Sequence, residues 1–362
     1  MDVSMSDMTN NQFVHHPRLS QYVNGLSGCF ESHGIRDHII LFSSGTTSNN
    51  LKGYAFTLES IQINAKAVNQ YLDLSSKDQW GLALPEFHIG GYSVLHRSAL
   101  LGKKAFVFER WVAEGFCDFI RDKQITVSSL VPTQLYDLVA LKKKAPANLK
   151  HIVIGGDFLG RELESQARQL GWPIVKSFGM TEVASQLGAT REPYSMSYDL
   201  FDIHKLKVDT SQRLWVKSKS LFSYEFSFEK GSWLIHPASK NMDSNGHFPL
   251  QDMGEISSSN KITPKGRLDH AVKRSGKLVD ITSLRQELDR FKLQLDCWNK
   301  VEICIHSDER RGARISLLFL SDVKDIISVF LERVPAGSFD DVREVSSFER
   351  TDLGKLKTST NT

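Results

Sequence analysis

Strand and helix patterns alternate along the chain from residue 38 to residue 178, and this alternation is the strongest constraint on the fold. Apolar stretches such as HIILF, WGLAL, TVSSLV and HIVI predict buried strands. Between them lie segments with helical apolar spacing, and in one of these Ile61, Ala65, Val68 and Leu72 share a face. Strands that alternate with helices form parallel sheets that the helices cover. The sequence therefore predicts an α/β protein with a mostly parallel sheet flanked by helices.

The pattern changes twice in the second half of the chain. Short alternating stretches, RLWVKS, SYEFSFE and SWLIHP, predict a β-rich subdomain between about residues 198 and 265. Beyond GRLDH, the helical patterns LRQELDRFKLQL and VKDIISVFLERV flank the strand patterns VEICIH and RISLLFL. We therefore predict a large domain over residues 1–267 and a small, mobile α+β domain over residues 268–362.

Charge, cysteine content and hydropathy argue against several function classes. The formal net charge is +3 and the basic residues are scattered, which argues against a nucleic-acid partner. The four cysteines show no C-x-x-C spacing and join no histidine cluster, so we expect neither a disulfide framework nor a cysteine metal site. The N-terminal segment lacks a signal-peptide pattern, and no apolar stretch approaches the ~20 residues of a membrane span. We expect a cytoplasmic protein.

The stretch LFSSGTTSNNLKGY, residues 41–54, gathers hydroxyl and backbone donors on one loop between a predicted strand and a predicted helix. Gly45 allows close backbone approach and Lys52 adds a positive charge, so a phosphate group is the natural ligand. The loop is not a Walker A motif, because that motif requires glycine where Asn50 stands. Considered alone, the stretch is more typical of a surface turn rich in serine and threonine, because short glycine-containing motifs are common.

Five segments, in matching order, resemble motifs of the adenylate-forming acyl- and aryl-CoA synthetases. SSGTTSNNLKG is similar to their phosphate loop S-G-T-T-G-x-P-K-G, and SFGMTEVASQ to their Y-G-x-T-E motif. HFPLQDMG resembles their W-F-x-T-G-D motif, GRLDHAVKRSG their hinge motif, and RTDLGKLK their terminal lysine motif. The resemblance extends from about residue 38 to residue 357. Five partial matches in one order are more specific than any single motif.

Within this superfamily, the middle of the chain is similar to the o-succinylbenzoate–CoA ligases of menaquinone biosynthesis. The segments LPEFHIGGYSVLHRSALLG, SLVPTQL and GMTEVASQ carry this likeness. That family has an arginine at the position of Arg97 and tolerates a residue such as Gln251 before the ribose aspartate. The resemblance implies a ligase that converts o-succinylbenzoate to its CoA thioester through an acyl-adenylate, releasing AMP and pyrophosphate. It implies ATP, Mg²⁺ and coenzyme A as cofactors and cosubstrates, with a small-molecule acid as substrate.

The resemblance also implies the residues that bind ATP. The phosphate loop would hold the β- and γ-phosphates through Ser43, Ser44, Gly45, Thr46, Thr47 and Lys52. Thr181 would donate to the α-phosphate, and Glu182 would bind Mg²⁺. The other implied ATP-binding residues are Gly155, Gly156 and Phe178 at adenine, Asp252 at the ribose, Arg267 at ribose or phosphate, and Gly179.

The remaining implied roles concern the acid and the small domain. The acyl pocket would be bordered by His88, Gly90, Gly91, Arg97 and Ser129, with Arg97 paired to the second carboxylate of o-succinylbenzoate. Lys355 would bridge the substrate carboxylate and the α-phosphate during adenylation. Asp269 would be the hinge that carries Lys355 in and out. The catalytic set implied by the family is therefore His88, Thr181, Glu182 and Lys355.

Each of these residues also has a purely structural interpretation. His88 and Phe178 could belong to the core, and Asp252 and Asp269 could be turn residues. Arg97 could form a surface ion pair worth ~0–1 kcal/mol, and Lys355 could simply be solvated. The joint order of the motifs favours the functional interpretation.

The sequence departs from the family at several positions, and the phosphate loop and the N-terminal part leave alternatives open. Ser48 replaces the usual glycine of the phosphate loop, and the family's proline is missing. Fewer residues precede the loop than is usual, so we expect part of an N-terminal subdomain to be absent. A homodimer, residues 1–37 or a partner would then cover its site. The alternative functions are another aryl- or acyl-CoA ligase, or a non-catalytic nucleotide- or acyl-binding relic of the family.

Overall fold

The computed structural model describes residues 10–43, 51–267, 272–274, 277–279, 281–295, 297–308 and 312–348. The predicted hinge Asp269 and the predicted adenylation residue Lys355 lie outside these described residues. So does the centre of the predicted phosphate loop, comprising Ser44, Gly45, Thr46 and Thr47.

The secondary-structure elements of the described chain are numbered in chain order. The strands are β1 (Gln12–Val14), β2 (His38–Phe42), β3 (Lys52–Thr57), β4 (Trp80–Leu82), β5 (Phe106–Val107), β6 (Val127–Leu130), β7 (His151–Ile154), β8 (Ile174–Met180), β9 (Ser185–Thr190), β10 (Tyr198–Leu200), β11 (His204–Val208), β12 (Arg213–Ser218), β13 (Tyr224–Glu229), β14 (Ser232–Pro237), β15 (Phe248–Ile256), β16 (Lys261–Arg267), β17 (Val272–Arg274), β18 (Lys277–Val279), β19 (Val301–Asp308), β20 (Gly312–Leu320) and β21 (Asp341–Val345). The helices are α1 (Ser20–Ser32), α2 (Leu58–Tyr71), α3 (Ile89–Ala99), α4 (Ala113–Asp122), α5 (Pro132–Ala140), α6 (Arg161–Gln169), α7 (Ile281–Gln294) and α8 (Lys324–Glu332).

The largest sheet has eleven strands in the order β11-β12-β15-β16-β10-β9-β8-β7-β6-β4-β5. Its β8-β7-β6-β4-β5 half is parallel, as the sequence predicts. Alternate residues of the parallel strands face opposite helical layers. Ile152 and Ile154 pack in the cluster that contains α4, α5 and α6, whereas Val153 packs in the cluster that contains α2 and α3. The parallel strands are apolar throughout because both of their faces are buried.

A second sheet of five strands, in the order β1-β2-β3-β13-β14, corrects the sequence analysis. The HIILF stretch, β2, pairs antiparallel with β3 and lies outside the parallel sheet. The physical reason is the short connection between β2 and β3, which cannot accommodate the helical crossover that parallel neighbours need. Helix α1 covers this sheet from within the chain, with Leu26 and Phe30 packed in the same cluster as Phe42 and Phe226.

The C-terminal described segments form a three-stranded sheet, β19-β20-β21, that packs with α7 and α8. Trp298 and Asp289 are among the residues of these segments that contact the first part of the chain. The Trp298 ring stacks on the Tyr136 ring with their centroids 4.6 Å apart. The Asp289 carboxylate lies against Gly160, where its burial raises the carboxyl pKa to about 7. The predicted boundary near residue 268 stays a prediction.

Among the described residues, no helix combines the length and the apolar character that crossing a bilayer requires.

Two buried histidines make the free energy of unfolding depend on pH. Burial lowers the pKa of His96 and of His204 to about 4. A histidine in the unfolded chain titrates near 6.5, so the unfolded state takes up protons first as the pH falls. The stabilising contribution of each neutral ring is therefore complete above about pH 6.5 and is lost as the pH falls toward 4. Between pH 7 and pH 5 each histidine should lower the free energy of unfolding by about 2 kcal/mol.

Between pH 7 and pH 5, we expect the free energy of unfolding of the His96→Phe variant to fall by about 2 kcal/mol less than that of the wild type. Neither ring nitrogen of His96 has a hydrogen-bond partner among the described residues, so phenylalanine removes only the titration. Urea unfolding of both proteins at pH 7 and pH 5 measures the difference. An identical pH dependence in the two proteins would contradict the assignment.

Candidate active site

The two ends of the predicted phosphate loop, Ser43 and Lys52, lie side by side where β2 ends and β3 begins. The Ser43 backbone N–H donates to the Lys52 carbonyl at 2.9 Å, which closes the base of the loop. The strands approach this closely because residue 53 is glycine: a Cβ on Gly53 would lie 2.1 Å from the Leu41 carbonyl oxygen. Lys52 itself is exposed. The structure therefore fixes both ends of a loop whose central residues are not described.

The segment after β8 reverses direction in a strained turn. Thr181–Val183 form a single 3₁₀ turn, and β9 then runs back along β8. Ala184 has a φ of 60° and Ser185 a φ of 131°, both in the left-handed region that side chains disfavour. A Cβ on Gly179 would lie 1.9 Å from the Ser185 carbonyl oxygen, so this turn also requires glycine opposite. Strain of ~1–3 kcal/mol per residue persists at sites that the surrounding structure holds firmly.

Asn64, a residue that the sequence analysis missed, holds this turn. Its amide nitrogen donates to the carbonyls of Val183 at 2.9 Å and Gln186 at 2.8 Å. The Ser220 hydroxyl donates to the Val183 carbonyl at 2.9 Å. Asn64 is fully buried on the helix face that also carries Ile61. In the sequence, the only sign of this role is that a polar residue, Asn64, lies on the apolar face of a predicted helix.

Tyr54 joins the phosphate-loop strand to the strained turn. Its hydroxyl donates to Glu182 Oε1 at 2.9 Å, across 128 positions of sequence. Burial and the neighbouring Glu182 carboxylate raise the pKa of the Tyr54 phenol, and the charge of Arg267 partly opposes that shift. The strand that continues from the first motif thus contacts the second motif directly, and Arg267 acts electrostatically on Tyr54.

Asp252 and Arg267 face each other on the antiparallel strands β15 and β16. Arg267 Nη1 lies 3.9 Å from Asp252 Oδ2, and Asp252 is only 9% exposed. The HFPLQDMG motif, through Asp252, and the GRLDHAVKRSG motif, through Arg267, therefore meet in one ion pair. Arg267 also acts electrostatically on Tyr54. A carboxylate and a guanidinium together can accept from ribose hydroxyls and donate to phosphate oxygens.

Gly155 and Gly156 follow β7 at the position predicted to face adenine. A Cβ on Gly155 would lie 2.3 Å from Ser177 Oγ, and Gly156 has a φ of +84°. The fold alone therefore requires glycine at both positions. Phe178, the predicted adenine neighbour, is half-buried, with its ring centroid 5.9 Å from that of Tyr198.

The predicted acyl pocket is built around the start of α3. His88 is half-buried and precedes the helix, and Gly91 lies in its first turn. A Cβ on Gly91 would lie 2.2 Å from the Pro85 carbonyl oxygen, so the tight approach of loop and helix requires glycine there. Gly90 carries no such constraint, because a Cβ on Gly90 would lie 3.6 Å from its nearest neighbour, the Leu84 side chain.

Arg97 is buried, which rules out the surface ion pair considered from the sequence. It is 1% exposed, its Nη2 donates to Ser185 Oγ at 3.0 Å, and its guanidinium lies over the Trp80 ring at 5.4 Å. Burial lowers its pKa to about 9, which leaves it charged at neutral pH. In the described part of the chain, no carboxylate forms an ion pair with Arg97 and its Nε has no hydrogen-bond partner.

Asn69 and Ser129 are two further buried polar residues. Asn69 donates to the Arg97 carbonyl at 2.8 Å and accepts from Trp80 Nε1 at 3.2 Å, which fixes both sides of the cation–π contact. The Ser129 hydroxyl is buried and has no hydrogen-bond partner among the described residues. Buried polar groups are normally paired with protein groups or ordered water.

Three comparisons with known proteins bear on this site. Residues 37–201 match the family model "AMP-binding enzyme". The chain is 30% identical to 2-succinylbenzoate–CoA ligase of Bacillus licheniformis over 198 residues, which are 55% of this chain and 38% of that protein. It is 28% identical to the enzyme of that name from Staphylococcus aureus over 290 residues, which are 78% of this chain and 57% of that protein. The chain therefore aligns with roughly two-fifths to three-fifths of these relatives' lengths.

The same fold is found in solved structures. The o-succinylbenzoate CoA synthetase of Bacillus subtilis in complex with ATP and magnesium superimposes with a TM-score of 0.72 and 20% identity, covering 88% of this chain and 68% of that one. Its complex with an acyl-adenylate intermediate gives a TM-score of 0.71 at the same coverage. ATP-bound MatB of Rhodopseudomonas palustris gives 0.70 at 17% identity, covering 88% of this chain and 66% of that one. At these identities the superpositions establish the fold.

Proposed function

We propose that this chain, which carries the AMP-binding enzyme pattern over residues 37–201, is an ATP-dependent ligase that converts o-succinylbenzoate to its CoA thioester. The substrate carboxylate attacks the α-phosphorus of ATP, and pyrophosphate leaves. The CoA thiolate then attacks the acyl carbon of the resulting acyl-adenylate, and AMP leaves. Two relatives named 2-succinylbenzoate–CoA ligase support this substrate.

The first half-reaction brings two anions together, so its catalysis depends on positive charge and oriented donors. Thr181 donates to the α-phosphate, and Lys52 and Arg267 lower the electrostatic cost of the approach. Lys355 is proposed to contribute the cation that touches both reacting groups, and Asp269 to be the hinge that moves it. Asp252 accepts from the ribose. These assignments rest on the motif positions and on the contacts among the described residues.

The donor set at Glu182 fits a magnesium ion. Mg²⁺ binds proteins through one or two carboxylates together with substrate phosphate oxygens and water. Glu182 supplies a carboxylate whose Oε1 accepts from Tyr54, and among the described residues no lysine or arginine forms an ion pair with it. When bound there, the ion neutralises charge on the phosphates. Glu182 holds it, while Thr181 and Lys52 orient the phosphate oxygens.

The observation that carries the choice of acid is the buried, unneutralised Arg97. A buried charge costs several kcal/mol unless a partner compensates it, and the described residues supply only Ser185 and the Trp80 ring. A substrate with a second carboxylate compensates the guanidinium on binding, whereas a fatty acid cannot. This favours a dicarboxylic acid over the acids of other acyl-CoA ligases.

Two further expectations belong to the same proposal. The reaction takes place in the cytoplasm, where ATP and coenzyme A are available. A homodimer, expected from the sequence, stays a prediction, and the molar mass in solution by light scattering would test it.

We expect pyrophosphate release with o-succinylbenzoate to exceed that with benzoate or a medium-chain fatty acid by at least tenfold in kcat/KM. The measurement is coupled pyrophosphate detection with ATP, Mg²⁺, CoA and each acid in turn. A preference for monocarboxylic acids would assign the chain to another acyl-CoA ligase. ATP binding without pyrophosphate release for any acid would support the non-catalytic relic instead.

A further inference from the structure

Tyr54 has no role in the assignment above, yet its side chain joins the phosphate-loop strand to the Glu182 carboxylate. Its hydroxyl donates to Glu182 Oε1 at 2.9 Å. It lies on β3, two residues after Lys52. This contact is charge-assisted, a class of hydrogen bond about twice as strong as a neutral one.

The strand places Tyr54 on the side of the candidate site. Successive strand residues point to opposite faces, so Lys52 and Tyr54 share a face. Phe56, two residues further, and Tyr54 pack in one core cluster together with Val183. Ala55 packs in the opposite cluster, beneath α1. The register of β3 therefore fixes which side of the sheet the phenol occupies.

Phe222 holds both members of the contact. Its ring lies 4.6 Å from the Tyr54 ring, centroid to centroid, at an interplanar angle of 45°. Its backbone N–H donates to the Glu182 carbonyl at 3.1 Å. Glu182 is thus fixed at its main chain by Phe222 and at one carboxylate oxygen by Tyr54. Holding the main chain and one carboxylate oxygen restricts the rotation of the side chain and therefore the position of the second oxygen.

The hydrogen bond from Tyr54 engages Oε1 of Glu182. The second oxygen, Oε2, is the one left to bind a cation.

We propose that Tyr54 is a positioning residue that orients Glu182 for Mg²⁺ and couples that ion's site to the phosphate-loop strand. This inference rests on the proposed function, because it assumes that Glu182 binds the ion of Mg–ATP. Residues that orient a metal ligand through its second atom typically contribute ten- to hundredfold to metal affinity. The proposed role of Tyr54 is exerted through its hydrogen bond to Glu182.

The test is Tyr54→Phe, which keeps the ring against Phe222 and removes only the hydroxyl. Isothermal titration calorimetry measures ATP binding to the full chain at a series of Mg²⁺ concentrations, and again with EDTA. We expect the Mg²⁺ concentration for half-maximal effect to rise about tenfold, with the affinity for metal-free ATP unchanged. Mn²⁺ binding to the ATP complex, followed by electron paramagnetic resonance, should weaken by a similar factor.

Tyr71→Phe is the matched control, because Tyr71 donates to Asp199 Oδ2 at 3.0 Å in an equivalent tyrosine–carboxylate pair away from this site. Its Mg²⁺ dependence should equal that of the wild type. Equal Mg²⁺ dependence in Tyr54→Phe and wild type, with Glu182→Gln strongly altered, would overturn the inference and leave the proposed function standing. A wild-type protein that binds no ATP would overturn both.

Discussion

Replacing Arg97 by methionine is expected to raise the KM for o-succinylbenzoate by about a hundredfold. The guanidinium is buried against Trp80 and Ser185, and we propose that the second carboxylate of the acid completes its set of partners. Removing one member of a buried charge pair typically costs ~2–5 kcal/mol, since the other charge then stays buried alone. A hundredfold change corresponds to about 2.7 kcal/mol.

The same substitution should leave the free protein as stable as before, or more stable. Without substrate, the described chain gives Arg97 no carboxylate partner, and replacing an uncompensated buried charge by an apolar group of similar size is neutral or stabilising. A structural arginine would behave in the opposite way. The thermal midpoint without substrate therefore separates a binding role from a structural one.

Arg168→Met is the matched control for this experiment. Arg168 pairs with the buried Glu164 at 2.8 Å, in a cluster that also contains Lys176. Its loss should lower the thermal midpoint and leave the KM for the acid unchanged. An Arg97→Met protein with unaltered KM would remove the main reason for naming a dicarboxylic substrate.

Replacing Lys355 by alanine is expected to reduce acyl-adenylate formation by at least a thousandfold, while thioester formation from supplied acyl-adenylate is largely retained. From the resemblance of RTDLGKLK to the family's terminal lysine motif, we propose that this ammonium group touches the carboxylate and the α-phosphate only during adenylation. A group that stabilises charge in one transition state affects that step alone. Pyrophosphate release measures the first half-reaction, and CoA consumption from synthetic acyl-adenylate measures the second.

Lys357→Ala provides the comparison, because it removes a lysine from the same segment without touching the motif position. Both half-reactions of that variant should remain within about threefold of the wild type. Equal losses in both half-reactions of Lys355→Ala would contradict the assigned role.

Several features were predictable from the sequence because they depend on local pattern. The parallel half of the large sheet follows from apolar strands that alternate with helices, and the structure confirms it. The match to the AMP-binding enzyme family and the shared fold confirm the resemblance drawn from the ordered motifs. The predicted contributions of individual site residues to binding and catalysis remain to be measured.

Other features could not be predicted because their partners are distant along the chain. Tyr54 carries no motif signal, since the Glu182 carboxylate that it contacts is 128 residues away. Arg97 lies in the last turn of a helix, where an arginine usually stabilises the exposed helix end. Its burial depends on Trp80 and Ser185, which arrive from two different strands.

The sequence by itself determined the order of the elements and the chemical types at the site, because apolar periodicity and short motifs are local properties. Only the tertiary structure decided which sheet β2 joins, that Arg97 is buried without a carboxylate partner among the described residues, and that a tyrosine holds Glu182. The physical reason is that burial and long-range hydrogen bonds belong to pairs of residues that meet only after folding. A side chain's charge can be read from its own position in the sequence, whereas its electrostatic cost depends on the residues that surround it.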